Sequence, residues 1–336
     1  MNYPQNLKKG DTIGICAPSG GIVKPEKIQK LEMAKENLKK LGYKIIETES
    51  VRKEEKGRST TGAKRAEEFM QLLENDEVKL IIFASGGDFL IDMLDYLDFE
   101  KLKKIKPKWM QGYSDITTIE FLFTTILEIP SMYCQTIKDY SNWPLERNLI
   151  DALRIESGEK ILQKSFKKCE KASEVFKLEE PMLTEKVYWN NLTGQKRIEM
   201  QGRAIGGCLD SLKVFFGTKY DNILKYIEKY KTDGIIWFLE CFEMSTPELY
   251  RILWQMKNAG YFKFCRGIIF GRPLFIRNDY DITFNEAVYQ ILKETNIPII
   301  CDADIGHVSP QLAITNGAIL KIVSENGKGT IETFLD

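Results

Sequence analysis

The chain has 336 residues, enough for two domains of ordinary size with a large buried core. Hydrophobic residues make up 43% of the chain and charged residues 29%, which is typical of a folded globular protein rather than a disordered or fibrous one. The 48 basic side chains balance the 48 acidic ones, and this argues against a nucleic acid or an anionic membrane held by bulk charge.

Cysteine usage and the N-terminus indicate a cytoplasmic protein. The seven cysteines are scattered without a C-x-x-C pair, as expected for reduced thiols rather than a disulfide scaffold. Residues 1–11 contain no apolar signal segment, and no run approaches the roughly 18 apolar residues that span a membrane.

In the first half of the chain, short apolar runs alternate with amphipathic segments. Repeated β-α units of this kind predict a doubly wound parallel sheet. The predicted strands are residues 12–17, 43–48, 78–84 and 108–113. The predicted helices are residues 25–41, residues 63–73 behind a Thr60 or Thr61 cap, a helix from about residue 88, and residues 115–127.

The second half has a mixed pattern. Residues 161–195 are predicted as a connection with some strand content, between an α/β domain at 1–160 and a smaller, β-rich mixed domain at 196–336. The predicted strands there are residues 235–239, 267–270 and 297–301, the predicted helices are residues 209–216, 246–257 and 284–294, and a hairpin is predicted around Asn326-Gly327.

Ser114 lies where a predicted strand runs directly into a predicted helix, in the segment GYSDIT. Such a corner projects a hydroxyl above the sheet edge and surrounds it with free N–H groups, as in a nucleophile elbow. On local sequence alone a helix cap is the favoured interpretation of Ser114, a role that serine fills well, and the G-x-S-x-G signature is absent.

His307 is the single histidine of the chain, so it is the one imidazole available as a general base. It follows a predicted buried strand, in a loop position where catalytic groups tend to lie in α/β proteins. A satisfied structural histidine is the alternative. Asp302 and Asp304 stand just before it, and a metal site with His307 is a further alternative.

Glu240 ends the apolar run IIWFLE. A carboxylate at the end of a buried strand needs a partner, and an imidazole N–H would be one. Glu243 is the competing carboxylate.

A glycine pair, Gly86-Gly87, stands between Ser85 and Asp88 at another strand-to-helix junction. Glycines there let the backbone approach a ligand closely. No dinucleotide or P-loop motif is present. The segment Pro18-Ser19-Gly20-Gly21 reads most simply as a turn.

Seven segments in chain order carry a resemblance to a known family. They are GDTIGICAPSG, FASGGD, GYSDIT, RAIGGCLDSLKVFFGT, WFLE followed by GIIFGRP, and PIICDADIGH. Together they resemble the LD-carboxypeptidase family, which includes the microcin C self-immunity peptidases.

The resemblance implies a Ser-Glu-His triad at Ser114, Glu240 and His307, and an oxyanion hole from the backbone N–H groups of Asp115 and Gly87. It also implies a homodimer and a small peptide or peptidyl-nucleotide substrate, with no metal or cofactor. Substrate contacts are expected at Gly86, Asp88, Trp189 and Gly206.

Three positions depart from the family pattern. Ser85 replaces a frequent arginine before the glycine pair, Cys241 replaces a frequent aspartate, and residues 134–136 (CQT) replace a frequent His-Gly-Pro. Two other functions stay open: a cysteine hydrolase using Cys16, Cys208 or Cys241, and a two-domain ligand-binding protein without catalysis.

Overall fold

The computed structural model describes residues 1–177, 181–274, 276–277 and 280–335. The chain divides into two compact units of similar length. The first unit contains Met1–Lys160 and Ala313–Asn316, and the second contains Ile161–Leu312 and Gly317–Asp336. Within the described ranges, no helix is long and apolar enough to cross a membrane.

Sixteen strands are found in the described part of the chain. They are β1 (Thr12–Cys16), β2 (Lys44–Glu47), β3 (Val78–Phe83), β4 (Trp109–Gly112), β5 (Ser131–Tyr133), β6 (Leu162–Lys164), β7 (Lys168–Glu170), β8 (Leu183–Lys186), β9 (Asn190–Asn191), β10 (Arg197–Cys208), β11 (Ile235–Glu240), β12 (Cys265–Gly271), β13 (Ile299–Ala303), β14 (Ile314–Asn316), β15 (Ile319–Glu325) and β16 (Lys328–Phe334).

The α-helices of the same residues are α1 (Pro25–Lys40), α2 (Gly62–Glu74), α3 (Phe99–Leu102), α4 (Thr117–Leu122), α5 (Arg147–Glu156), α6 (Leu209–Leu212), α7 (Ile223–Lys229), α8 (Thr246–Asn258) and α9 (Phe284–Leu292). Short 3-10 helices occur at Glu49–Arg52, Leu90–Tyr96, Ser114–Ile116, Ile137–Ser141, Ala172–Glu174, Lys213–Phe215 and Lys293–Thr295, and a π-helical turn at Phe123–Leu127.

The first unit is built on a six-stranded sheet in the order β14-β5-β4-β3-β1-β2. β1 to β5 pair in parallel, and β14 adds an antiparallel edge next to β5. β3 is buried almost throughout, as its nearly continuous apolar sequence VKLIIF requires in a sheet covered on both faces. The prediction of a parallel α/β domain is confirmed.

The second unit contains an eight-stranded sheet in the order β6-β16-β15-β10-β11-β12-β13-β9, and a separate β7-β8 pair. β10 to β13 are parallel, whereas the outer strands are antiparallel, so the predicted mixed, β-rich character is confirmed. Residues 161–195 contribute β6 and β9 to the two edges of this sheet. The hairpin β15-β16 turns at Asn326-Gly327, both with positive φ, as such a turn demands.

Two predicted helices are shorter and less regular than expected. The segment after the glycine pair forms a 3-10 helix at Leu90–Tyr96, and the segment after Ser114 passes from 3-10 to α to π geometry. Threonine hydroxyls explain the second case, because Thr125 donates to the Phe121 carbonyl and Thr124 to the Ile129 carbonyl. Such bonds compete with a regular helix and loosen its last turn.

Gly206 lies inside β10, paired with Phe238 of β11. A Cβ at this position would lie 1.7 Å from the Phe238 carbonyl oxygen, which is backbone and cannot move aside. We therefore expect Gly206→Ala to lower the free energy of unfolding by roughly 2–4 kcal/mol in urea titrations. Gly194→Ala, with positive φ but open space around it, is the control and should cost only about 1 kcal/mol. An equal loss of stability in Gly206→Ala and Gly194→Ala would contradict the explanation by packing. The role of Gly206 as a substrate contact stays a prediction.

Candidate active site

Ser114 occupies a strained backbone corner at the carboxyl end of β4. Its φ is 66°, in the left-handed region that a serine adopts only at a cost of about 1–2 kcal/mol. The backbone N–H of Ser114 donates to the hydroxyl of Tyr133 at 3.4 Å, and the helical segment begins at Ser114 itself. This is the geometry of a strand-to-helix elbow, and its strain is typical of a functional position.

The glycine pair lies directly against this corner. A Cβ on Gly86 would be 3.0 Å from the Cβ of Ser114 and 3.1 Å from its Oγ. A Cβ on Gly87 would overlap the hydroxyl of Ser19. The absence of side chains therefore lets the backbone at Gly86-Gly87 approach the serine and places this segment beside the hydroxyl.

The side chain of Asp115 ties three loops of this unit together. Its Oδ2 accepts the hydroxyl of Ser19 at 2.5 Å and the backbone N–H of Leu90 at 3.0 Å. Ser19 follows β1, and Leu90 follows the glycine pair. The sequence predicts a role only for the backbone of Asp115 and a turn at Ser19, so this side-chain contact was not predicted.

Burial raises the pKa of Asp115 to about 6, although the Ser19 and Leu90 hydrogen bonds oppose the shift. A raised folded-state pKa means that the native state binds more protons than the unfolded state between about pH 4 and pH 6. The stability contributed by the protonated form is therefore lost as the pH rises through about 6.

We expect Asp115→Asn, which cannot ionise, to become more stable relative to the parent protein by roughly 2–3 kcal/mol between pH 4 and pH 7. Urea titrations of both proteins across this range measure the difference. Asp76→Asn is the control, since Lys106 lowers the pKa of that exposed carboxyl and the small effect should have the opposite sign. A difference between Asp115→Asn and parent that stays constant with pH would contradict the assignment.

Glu240 and His307 form a buried pair in the second unit. The Nδ1 atom of His307 lies 3.0 Å from Oε2 of Glu240. Glu240 is fully buried at the end of β11, and His307 is 6% exposed in the loop after β13. A carboxylate on Nδ1 holds that nitrogen protonated and leaves the basic lone pair on Nε2.

Two glycines make room for this pair. A Cβ on Gly306 would lie 2.7 Å from Oε2 of Glu240, and a Cβ on Gly271 would lie 3.1 Å from the Cβ of Glu240. The ring of Phe242 packs on the imidazole, with centroids 4.5 Å apart. Phe242 and both glycines were not predicted from the sequence. Gly271 and Gly306 could have been noticed because each follows an apolar strand.

The other candidate residues are either exposed or already hydrogen-bonded within the protein. The exposed Glu243 donates its backbone N–H to Asp210. Asp304 accepts from the Arg272 guanidinium at 2.5 Å and the Trp189 indole N–H at 3.0 Å, and it is fully buried. Trp189 is 1% exposed, and Asp88 is exposed. No trio of His, Cys, Asp or Glu suited to a metal ion occurs among the described residues.

The cysteines are poorly suited to nucleophilic catalysis. Cys16, Cys208 and Cys241 are all buried, and burial raises the pKa of each thiol well above its ordinary value. Reactive cysteines need the opposite, a stabilised thiolate at an accessible position.

Comparison with known proteins identifies the family. Residues 13–134 match the LD-carboxypeptidase N-terminal domain, and residues 201–322 match the LD-carboxypeptidase C-terminal domain. The chain belongs to the LD-carboxypeptidase family. The first matched segment includes Ser114, and the second includes Glu240 and His307.

Several relatives match nearly the whole chain. A probable murein peptide carboxypeptidase of Bacillus subtilis is 25% identical, covering 95% of this chain and 91% of the relative. The microcin C7 self-immunity protein MccF of Escherichia coli is 26% identical, covering 95% and 92%. A solved structure of MccF in complex with aspartyl sulfamoyl adenosine has a TM-score of 0.78 at 21% identity, covering 99% and 98%, and it shows the shared fold. The chain is thus a peptide hydrolase of the LD-carboxypeptidase and MccF type.

Proposed function

We propose that the chain is a serine carboxypeptidase that removes a C-terminal D-residue from a murein peptide, with Ser114, His307 and Glu240 as its catalytic triad. The observation that carries the proposal is the buried contact between Glu240 and the one imidazole of the chain. A buried carboxylate on Nδ1 is what a histidine base needs for a defined tautomer. The strained corner at Ser114 supports its assignment as the nucleophile.

In the proposed first step, Nε2 of His307 takes the hydroxyl proton of Ser114 while Oγ attacks the scissile carbonyl carbon. Glu240 stabilises the imidazolium that forms. The imidazolium then gives its proton to the leaving amine as the C–N bond breaks. Water, deprotonated by His307, resolves the ester on Ser114 and regenerates the hydroxyl.

The proposed oxyanion hole consists of the backbone N–H groups of Asp115 and Gly87. The close approach of Gly86 to Ser114 and the hydrogen bonds of the Asp115 carboxyl support it, since both hold these segments beside the hydroxyl. Loss of one such donor costs roughly 3–4 kcal/mol of transition-state stabilisation in known cases.

A second candidate substrate is a peptidyl or aminoacyl nucleotide. The relative MccF, named for microcin C7 self-immunity, has been solved with aspartyl sulfamoyl adenosine, and this supports a nucleotide conjugate for the present chain. The substrate contact expected at Trp189 would require that side chain to leave its buried position beside Asp304.

Incubation of the purified protein with a murein tetrapeptide and, separately, with an aminoacyl-sulfamoyl-adenosine separates the candidates. Mass spectrometry of the products should show release of the terminal D-alanine from the tetrapeptide. Cleavage of the nucleotide conjugate alone would favour a peptidyl or aminoacyl nucleotide as the substrate. No product from either compound would remove the support for both. The homodimer and the cytoplasmic location stay predictions.

A further inference from the structure

Lys138 lies in the 3-10 helix that follows β5, and its Nζ donates to the hydroxyl of Ser85 at 3.4 Å. Ser85 stands two residues after the end of β3, immediately before the glycine pair. Neither side chain has a role in the triad or the oxyanion hole proposed above.

The sheet order places this contact over the corner that carries Ser114. β4 lies between β3 and β5, and all three strands are parallel, so their carboxyl ends share one edge of the sheet. Adjacent strands are about 4.8 Å apart. The contact from Ser85 to Lys138 joins the segment after β3 to the segment after β5. From the strand spacing we infer that Nζ of Lys138 is within roughly 10 Å of Ser114.

The ammonium of Lys138 has few hydrogen-bond partners. Among the residues that the structure describes, Ser85 is the one hydrogen-bond partner of Nζ, which has three protons to donate. The neighbouring carboxylate of Asp139 instead accepts from the backbone N–H and hydroxyl of Thr136. Burial lowers the pKa of Lys138. The negative charge of the adjacent Asp139 opposes this shift, and the positive charges of Lys27 and Lys30 add to it. An anion bound here would accept hydrogen bonds from the remaining N–H groups of Nζ and would stabilise the buried positive charge.

We propose that Lys138 and Ser85 bind the free α-carboxylate of the C-terminal residue that the enzyme removes. This inference rests on the proposed function and specifies its substrate. In a peptide the terminal carboxylate lies only roughly 3–5 Å from the scissile carbonyl carbon. A cation that binds this carboxylate must therefore lie close to the nucleophile. The ammonium donates to one carboxylate oxygen and the Ser85 hydroxyl to the other. An aminoacyl nucleotide has no such carboxylate on its leaving side.

The test compares a murein tetrapeptide with its C-terminal amide, which has the same shape but no charge. We expect the parent protein to prefer the acid by about 30-fold in kcat/KM, the value of one charge-assisted hydrogen bond. Lys138→Met should lower kcat/KM for the acid by about that factor, mainly through KM, and leave the amide within about threefold. Ser85→Ala should show a smaller loss of the same kind, and Lys138→Arg should restore part of the preference.

Lys27→Met is the matched control, because it removes a nearby exposed positive charge that makes no contact with Ser85. It should keep the preference for the acid. Retention of the preference in Lys138→Met would overturn the inference, as would an equal loss on acid and amide, which would mean an effect on the chemical step or on folding.

Calorimetric binding to the Ser114→Ala protein separates this inference from the proposed catalysis. That variant, with or without Lys138→Met, is titrated with the acid and the amide. Acid binding that weakens only when Lys138 is replaced supports the inference even if the parent protein proves inactive. Binding of neither compound, or equal binding of both, contradicts the inference whatever the activity.

Discussion

Ser114→Ala should lower kcat/KM for the cleaved peptide by at least about 10⁴-fold, because the variant lacks the oxygen that attacks the carbonyl. The fold should persist. Alanine keeps the Cβ of this position, and its backbone can adopt the same left-handed φ at the same cost. Steady-state kinetics and a urea titration of the purified variant measure both quantities.

Ser173→Ala provides the control, since that exposed serine lies in a short 3-10 helix of the other unit and its removal should leave the rate unchanged. Ser114→Ala with nearly full activity would contradict the assignment. If a thiol-alkylating reagent then abolished that activity, a cysteine would be the nucleophile despite the raised pKa values of the buried thiols.

Glu240→Gln should lower kcat by about 10³- to 10⁴-fold while changing the shape of the side chain very little. The carboxylate holds Nδ1 of His307 protonated, whereas the glutamine amide can present its NH₂ group to Nδ1 and favour the opposite tautomer. Nε2 would then carry the proton and could no longer accept one from Ser114.

Glu243→Gln is the matched control. Glu243 lies three residues further on, is exposed, and should tolerate the change within about twofold. The single histidine makes a second readout possible, because ¹⁵N NMR of the imidazole contains signals from one ring only. The parent should show the Nδ1–H tautomer at neutral pH, and Glu240→Gln should shift the population toward Nε2–H. An unchanged tautomer with full activity would contradict the role of Glu240.

Local pattern predicts the central elements of the fold well. The run VKLIIF is too continuous for an exposed strand, and β3 is buried accordingly. Thr61 caps α2 by accepting from the backbone N–H of Lys64, and Asn326-Gly327 forms the turn of β15-β16. In each case the determining interaction lies within a few residues.

Elements that depend on distant partners could not be predicted in this way. β14 is three residues long and joins the first sheet only because β5 offers an open edge. The hydrogen bond from Ser19 to Asp115 joins residues 96 positions apart, and the contact of Lys138 with Ser85 joins residues 53 apart. The periodicity of hydrophobic residues does not predict contacts between residues so far apart in the chain.

In the candidate site, too, the sequence predicts individual residues better than the contacts between them. The sequence favours Glu240 over Glu243 because Glu240 ends an apolar strand, and it favours His307 because this is the one histidine. Their contact at 3.0 Å links residues 67 positions apart and could be inferred only from the chemistry that a buried carboxylate needs. The substrate contacts predicted at Asp88, Trp189 and Gly206 had no comparable physical requirement behind them and stay predictions.

Labelling with a serine-reactive phosphonate, followed by digestion and peptide mapping, tests the proposed triad most directly. Activated serines react with such reagents whereas ordinary hydroxyls do not, because the reaction needs both the base and the oxyanion donors. We expect one labelled peptide, carrying the adduct on Ser114, and loss of the labelling in His307→Ala. An adduct on any other residue, or labelling of Ser114 that persists without the imidazole, would contradict the account.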